Sequence, residues 1–177
     1  MIRLAFIGCR MGRAADRLAV NRLRNASVTA VADSDVERAR SGKESLGAEI
    51  STGSLDELLA QHADAFDAVI IDSPDRYPTD QAVAAAQADK HVLVEIPLAL
   101  SSNEADKVIA ACHSAGVCLM AGQATRFLPS HQVVKDSLTT GKLGEPGLVR
   151  IHRWETVDIA STENDESTKN GDAPSLI

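Results

Sequence analysis

Aromatic residues are scarce, at 3% of a 177-residue chain. A core must then be filled by Val, Ile, Leu and Ala, a composition that suits a parallel sheet covered by alanine-rich helices. Cysteine is equally sparse. Cys9, Cys112 and Cys118 are an odd number with no CxxC pair, which argues against a disulfide framework or a zinc site and for a reducing, cytoplasmic setting. No apolar run approaches membrane-spanning length, and a strand pattern begins directly after Met1, so neither a membrane helix nor a signal peptide is expected. There is no excess of base: 18 Lys and Arg face 25 Asp and Glu, for a net charge of −7. Six of the acids (Glu155, Asp158, Glu163, Asp165, Glu166, Asp172) follow Trp154 with only Lys169 against them, which leaves −2 for residues 1–154. Without a basic face, nucleic acid is not an expected partner. The histidines at 62, 91, 113, 131 and 152 have no ligand spacing, so no metal site is expected.

What the chain does have is an alternation of short apolar runs and helical patterns. Strands are expected over 3–7, 27–32, 67–71, 91–94 and 117–121, with a weak one near Ala48–Ile50. Helices are expected over 13–24, 35–46, 55–60, 79–88, 103–115 and 130–140, the fifth capped by Ser102 or Asn103 and closed by Gly116. Strand–helix alternation of this length implies βαβ units and a doubly wound, Rossmann-like α/β fold with helices on both faces. Residues 1–146 are read as one nucleotide-binding domain. Residues 147–177 are read as an extra strand, Gly147–Trp154, and an acidic polar tail too poor in apolar surface to offset its ordering entropy. A strand there exposes edges and offers a homodimer contact.

A dinucleotide site needs a glycine-rich turn after the first strand, with the pyrophosphate at the following helix N-terminus. The turn here is Gly8-Cys9-Arg10-Met11-Gly12-Arg13. It has two glycines where the fingerprint has three. One reading is a modified anion site with Arg10 or Arg13 on phosphate; the other is a turn that keeps the fold and has lost the ligand. Asp33 ends the second strand, where an acid suits the ribose hydroxyls of NAD and repels the extra phosphate of NADP. A turn or helix-cap role is the alternative, since Ser34 and Asp35 follow. Cys9 is read as a small buried thiol.

The run from Asp67 to Phe127, above all "DKHVLVEIPLALSSNEAD", resembles the core of the Gfo/Idh/MocA family of NAD(P)-dependent sugar and inositol dehydrogenases. The resemblance covers residues 2–154 and implies a role for NAD or NADP. It implies cofactor contacts from Gly8, Arg10, Met11, Gly12, Asp33, Ser73, Pro74, Glu95 and Gln123. The family's Glu-Lys-Pro is Glu95-Ile96-Pro97 here, and its Lys donates to the substrate oxygen. Ile96 cannot do this, so no catalytic residue is assigned. Pro78 stands where the family commonly has His. Gly122-Gln123-Ala124-Thr125-Arg126-Phe127 keeps the Arg-Phe of a family motif without its His and Asn. The resemblance further implies a second domain carrying a catalytic His, for which residues 147–177 have no counterpart. The expectation is a truncated, non-catalytic relative that binds a dinucleotide or a partner. The alternative is an oxidoreductase acting on sugars or inositol-like polyols, complete only with a second domain or chain. No bound cofactor at all is as compatible with the degenerate turn as NAD is.

Overall fold

A computed structural model of the chain describes residues 1–9, 22–73 and 78–152. Six strands, β1 (Ile2–Ile7), β2 (Ala26–Ala32), β3 (Ile50–Thr52), β4 (Ala68–Ile71), β5 (His91–Val94) and β6 (Leu119–Ala121), form one sheet in the order β3-β2-β1-β4-β5-β6. Every neighbouring pair is parallel. The connecting helices are α1 (Val36–Leu46), α2 (Leu55–His62), α3 (Pro78–Gln87) and α4 (Ser102–Ala115). A 3-10 turn (Ala124–Phe127) and α5 (Pro129–Thr139) follow β6. This is the doubly wound α/β fold expected from the strand–helix alternation. The chain divides into two units, Met1–His131 and Gln132–Ile177; the sequence pattern places its boundary after residue 146.

The small side chains decide how the layers meet. On one face Ala5, Ile7, Ala30, Ala32, Val69, Ile71, Val92 and Val94 pack with Leu55, Leu58 and Phe66, with Ala82, Ala85 and Ala86 of α3, and with Val108 and Cys112 of α4. Three alanines in a row of turns let α3 approach the sheet closely. A fully buried side chain such as Leu58 contributes about 1.5–3 kcal/mol. The other face gathers Leu4, Phe6, Cys9, Val28, Val31, Leu46 and Ala48. Val28 and Ala30 lie on opposite faces although they are two residues apart, because the β1–β2 register shifts between Leu4 and Ala5. Thr29 is the extra residue of that bulge, and its hydroxyl donates to the Ala65 carbonyl at 2.7 Å.

Helix ends follow their local chemistry. Asp35 caps α1 by accepting from the Glu37 and Arg38 N–H groups, and Gly47, at φ +67, closes it. Ser54 caps α2. The cap of α4 is Ser101, not Ser102 or Asn103: its hydroxyl accepts from Glu104 N–H, while Glu104 Oε2 accepts from Leu100 N–H. Pro78 occupies the first helical position of α3, where its missing N–H costs nothing.

Three strand expectations are corrected. The weak third strand runs over Ile50–Thr52, not 48–50, because Ala48 N–H is still bonded to Lys43 O in the α1 cap. Strand β6 begins at Leu119, since Val117 N–H returns to Cys112 O. Residues 147–152 form no strand: they pair with no other segment among the described residues, and Leu148, Val149 and Ile151 are exposed. Arg22, Leu23 and Arg24 are not helical, and the rest of the expected first helix, like Arg153, Trp154 and the acidic tail, lies outside the described residues.

An ion pair ties β1 to the entry of β4. Arg3 Nη2 meets Asp67 Oδ1 at 2.6 Å, and Arg3 N–H donates to Asp67 Oδ2 at 2.8 Å. The Arg3 side-chain and backbone hydrogen bonds hold the Asp67 carboxyl at about 2, against a smaller upward push from burial. A folded-state value below the unfolded one means the stabilisation is complete above about pH 4 and is lost as pH falls towards 2. Thermal midpoints measured from pH 5 to pH 2 should show an acid loss in the native chain that is reduced in Asp67→Asn. Identical acid limbs would contradict this assignment.

Candidate functional site

The chain leaves β1 for β2 on one side and returns to β4 on the other, so the strand order reverses between β1 and β4. In open α/β sheets ligands bind beyond the carboxyl ends of the strands at such a reversal. Gly8 sits there with φ +89. Its N–H donates to Ala32 O at 2.9 Å. A Cβ on Gly8 would lie 2.2 Å from Asp72 O and 2.6 Å from Asp72 C. The glycine is thus required by the backbone leaving β4, independently of any ligand.

Asp33 follows β2 and is 7% exposed. Its Oδ2 accepts from Cys9 N–H at 2.7 Å and its Oδ1 from Asp35 N–H at 2.8 Å. Arg38, in the first turn of α1, donates through Nε (3.1 Å) and Nη2 (3.0 Å) to Oδ1, and its Nη1 lies 3.3 Å from Asp35 Oδ2. Burial pushes the Asp33 carboxyl up, but the hydrogen bonds from Arg38, Asp35 and Cys9 outweigh it and hold the group below the ordinary carboxylate value. The same Asp33 hydrogen bond raises Arg38. Asp33 is therefore an ionised, buried carboxylate, and the helix-capping role belongs to Asp35.

Asp33 and Arg38 line a cavity of about 290 Å³. Gly8, Asp33 and Ser73 lie together in it. Arg38, Ser54 and Gln81 join them, and Ile7, Ala32 and Leu55 supply apolar wall. Sequence reasoning missed the last three polar residues. Arg38 had a signal, a base three residues after the cap Asp35 and therefore over the same helix end. Gln81 had none.

Glu95 and Gln123 do not line this cavity; they sit at the carboxyl ends of β5 and β6. The two ends are joined by Gly122 N–H donating to Val94 O at 2.7 Å. The Glu95 carboxylate lies over Gly122, where a Cβ would come within 2.8 Å of Oε2. Ile96 is 45% exposed and its peptide with Pro97 is cis. Arg126 and Phe127 fall in the 3-10 turn. Arg10, Met11, Gly12 and Pro74 lie outside the described residues. Cys9 is 2% exposed and packs against Gly42, whose missing side chain leaves room for its Sγ. Among the described residues no group of three or more His, Cys, Asp and Glu could hold a metal, and no helix is long and apolar enough to cross a membrane.

A six-stranded parallel sheet in this order, with a buried acid at the end of β2 and a glycine after β1, defines a Rossmann-type nucleotide-binding domain. The chain belongs to the Gfo/Idh/MocA oxidoreductase family, described as having an NAD-binding Rossmann fold, whose profile matches residues 2–123. It is 41% identical over 97 residues to the 4-carboxy-2-hydroxymuconate-6-semialdehyde dehydrogenase of a Sphingobium species, covering 55% of this chain and 30% of that one. It is 35% identical over 144 residues to the scyllo-inositol 2-dehydrogenase (NADP(+)) IolU of Bacillus subtilis, covering 78% and 42%. Among solved structures, the Bordetella pertussis WlbA dehydrogenase in complex with NADH and UDP-GlcNAcA matches with TM-score 0.75 and 28% identity, over 81% of this chain and 44% of that one. KijD10, a 3-ketoreductase from Actinomadura kijaniata in complex with NADP, matches with TM-score 0.71 and 31% identity, over 81% and 45%. The chain spans less than half the length of each of these relatives.

Proposed function

We propose that this chain contributes a dinucleotide-holding domain whose cavity takes the adenosine half of NAD(P), and that the described residues do not by themselves transfer hydride. The observation that carries the first part is Asp33: a buried, ionised carboxylate beside Gly8 and Ser73, at the strand-order reversal, is suited to accept from ribose hydroxyls. The residues fit such a cofactor in chemistry as well as place, with apolar wall for a flat base beside polar groups for a sugar. In this reading Gly8, Arg10, Met11 and Gly12 form the phosphate turn, Ser73 and Pro74 border the ribose, and Glu95 and Gln123 flank the nicotinamide end. NAD is favoured over NADP by the Asp33 charge, though Arg38 offsets part of the repulsion of a 2′-phosphate. The second part rests on Ile96, which offers no proton where the family has Lys; a missing general acid or base costs roughly 10²–10⁴ in rate.

The alternative, an oxidoreductase acting on sugars or inositol-like polyols with a second domain or chain, is favoured by the names of the relatives. Calorimetric titration with NADH and NADPH tests the first part: sub-millimolar NADH binding is expected, and no heat with either would remove the cofactor role. Steady-state assays against polyols test the second. Robust turnover by this chain alone would contradict it.

A further inference from the structure

We infer that Gln81 reads the base of the bound dinucleotide, accepting a hydrogen bond from the exocyclic amine of adenine; the inference rests on the dinucleotide reading above. Gln81 lies in the second turn of α3 and lines the same cavity as Asp33. Its Oε1 is buried and has no hydrogen-bond partner, the single such side-chain atom among the described residues. A buried acceptor without a donor is costly and rare in native proteins; Oε1 is closed off as it stands, and a turn of the Gln81 side chain, which lines the cavity, brings it to a donor from outside.

The rest of the cavity narrows the donor. At about 290 Å³ it is at the small end of ligand sites and suits one nucleoside, not a whole dinucleotide. It lies on the β2 side of the strand reversal, with Asp33 and Arg38, and not at Glu95 and Gln123. Asp33 and Arg38 provide for sugar hydroxyls and phosphate. Ile7, Ala32 and Leu55 provide apolar wall for a ring. A carboxamide is complementary to adenine, its oxygen accepting from the amine while its NH2 donates to an adjacent ring nitrogen. Purine without the 6-amino group offers no donor at that position, and turning the carboxamide over does not restore the lost bond.

The test compares NADH with its reduced analogue that carries purine, lacking the 6-amino group, in place of adenine, by calorimetric titration of the full chain. The native protein should prefer the adenine form by about tenfold, the range of one good side-chain–base pair. Gln81→Met should bring the two within about twofold, whereas Gln81→Glu, which keeps an acceptor, should retain a preference. A native chain that binds both equally, or a Gln81→Met chain that keeps the full preference, would overturn the inference while leaving the dinucleotide reading intact. Absence of NADH binding to the native chain would sink both. The ligand-free thermal midpoint gives an independent readout. Removing an unpaired buried oxygen should leave Gln81→Met at least as stable as the native chain, and a clear drop would show that the oxygen is already satisfied within the fold.

Discussion

Gly8→Ala is expected to be the most damaging single substitution in the domain, costing about 4 kcal/mol or more. Two effects add. A left-handed backbone costs an L-residue about 1–2 kcal/mol, and Gly8 has φ +89. The new Cβ would also lie 2.2 Å from Asp72 O, a backbone atom that cannot rotate away. Relief would require β1 and β4 to part where Asp72 N–H donates to Ile7 O at 2.7 Å. Gly47→Ala separates the two effects. Gly47 also has positive φ, +67, but nothing lies within 4 Å of its Cβ position. Its cost should be only about 1 kcal/mol. At roughly 3 °C per kcal/mol for a domain of this size, thermal midpoints should fall by about 10 °C or more for Gly8→Ala and by a few degrees for Gly47→Ala. Equal drops would show that the close approach to Asp72 yields without cost.

Asp33→Asn should invert the cofactor preference. In the native chain one negative and one positive group face the cavity and bond each other. Neutralising Asp33 removes a charged acceptor for ribose hydroxyls. Hydrogen bonds to charged groups contribute about 1.5–3 kcal/mol, so NADH should bind about 10–100 times more weakly. The same change frees the Arg38 guanidinium for the 2′-phosphate of NADPH, which suits it as a bidentate donor. Arg38→Met should act oppositely, leaving NADH binding within a few-fold and weakening NADPH further. Asn at 33 also loses part of its match to the Cys9 and Asp35 N–H groups, with a stability cost of about 1–2 kcal/mol because Arg38 remains 40% exposed. Titration of native, Asp33→Asn and Arg38→Met chains with both cofactors reads the crossing. Parallel changes for NADH and NADPH would place the 2′-position away from this pair.

The fold was legible because its signals are local. A β-branched run such as residues 67–71 between turn residues can hardly be other than a buried strand, and Gly47 and Gly116 close their helices at the positions the periodicity marks. What was not legible depends on partners distant in sequence. The bulge at Thr29 comes from matching β2 to β1, and no window of β2 alone reveals it. The expected strand over 147–154 has a strand-like composition, but a strand exists only with a ladder partner, and residues 147–152 have none among the described residues. The site divides the same way. Asp33 and Gly8 stand out by position, one after each of the first two strands. The reason Gly8 must be glycine is Asp72, 64 residues away, and Gln81 reaches the cavity because α3 follows β4 and packs against β4 and β5.

The most direct measurement is a competition titration with the two halves of the cofactor. We propose that the cavity beside Asp33 takes the adenosine half, and that Ile96 gives the nicotinamide end no charged contact. ADP-ribose should therefore bind within about tenfold of NADH, a difference of about 1.4 kcal/mol, and displace it, while nicotinamide mononucleotide should do neither. Binding of nicotinamide mononucleotide without ADP-ribose, or of neither ADP-ribose nor NADH at millimolar concentration, would contradict the assignment.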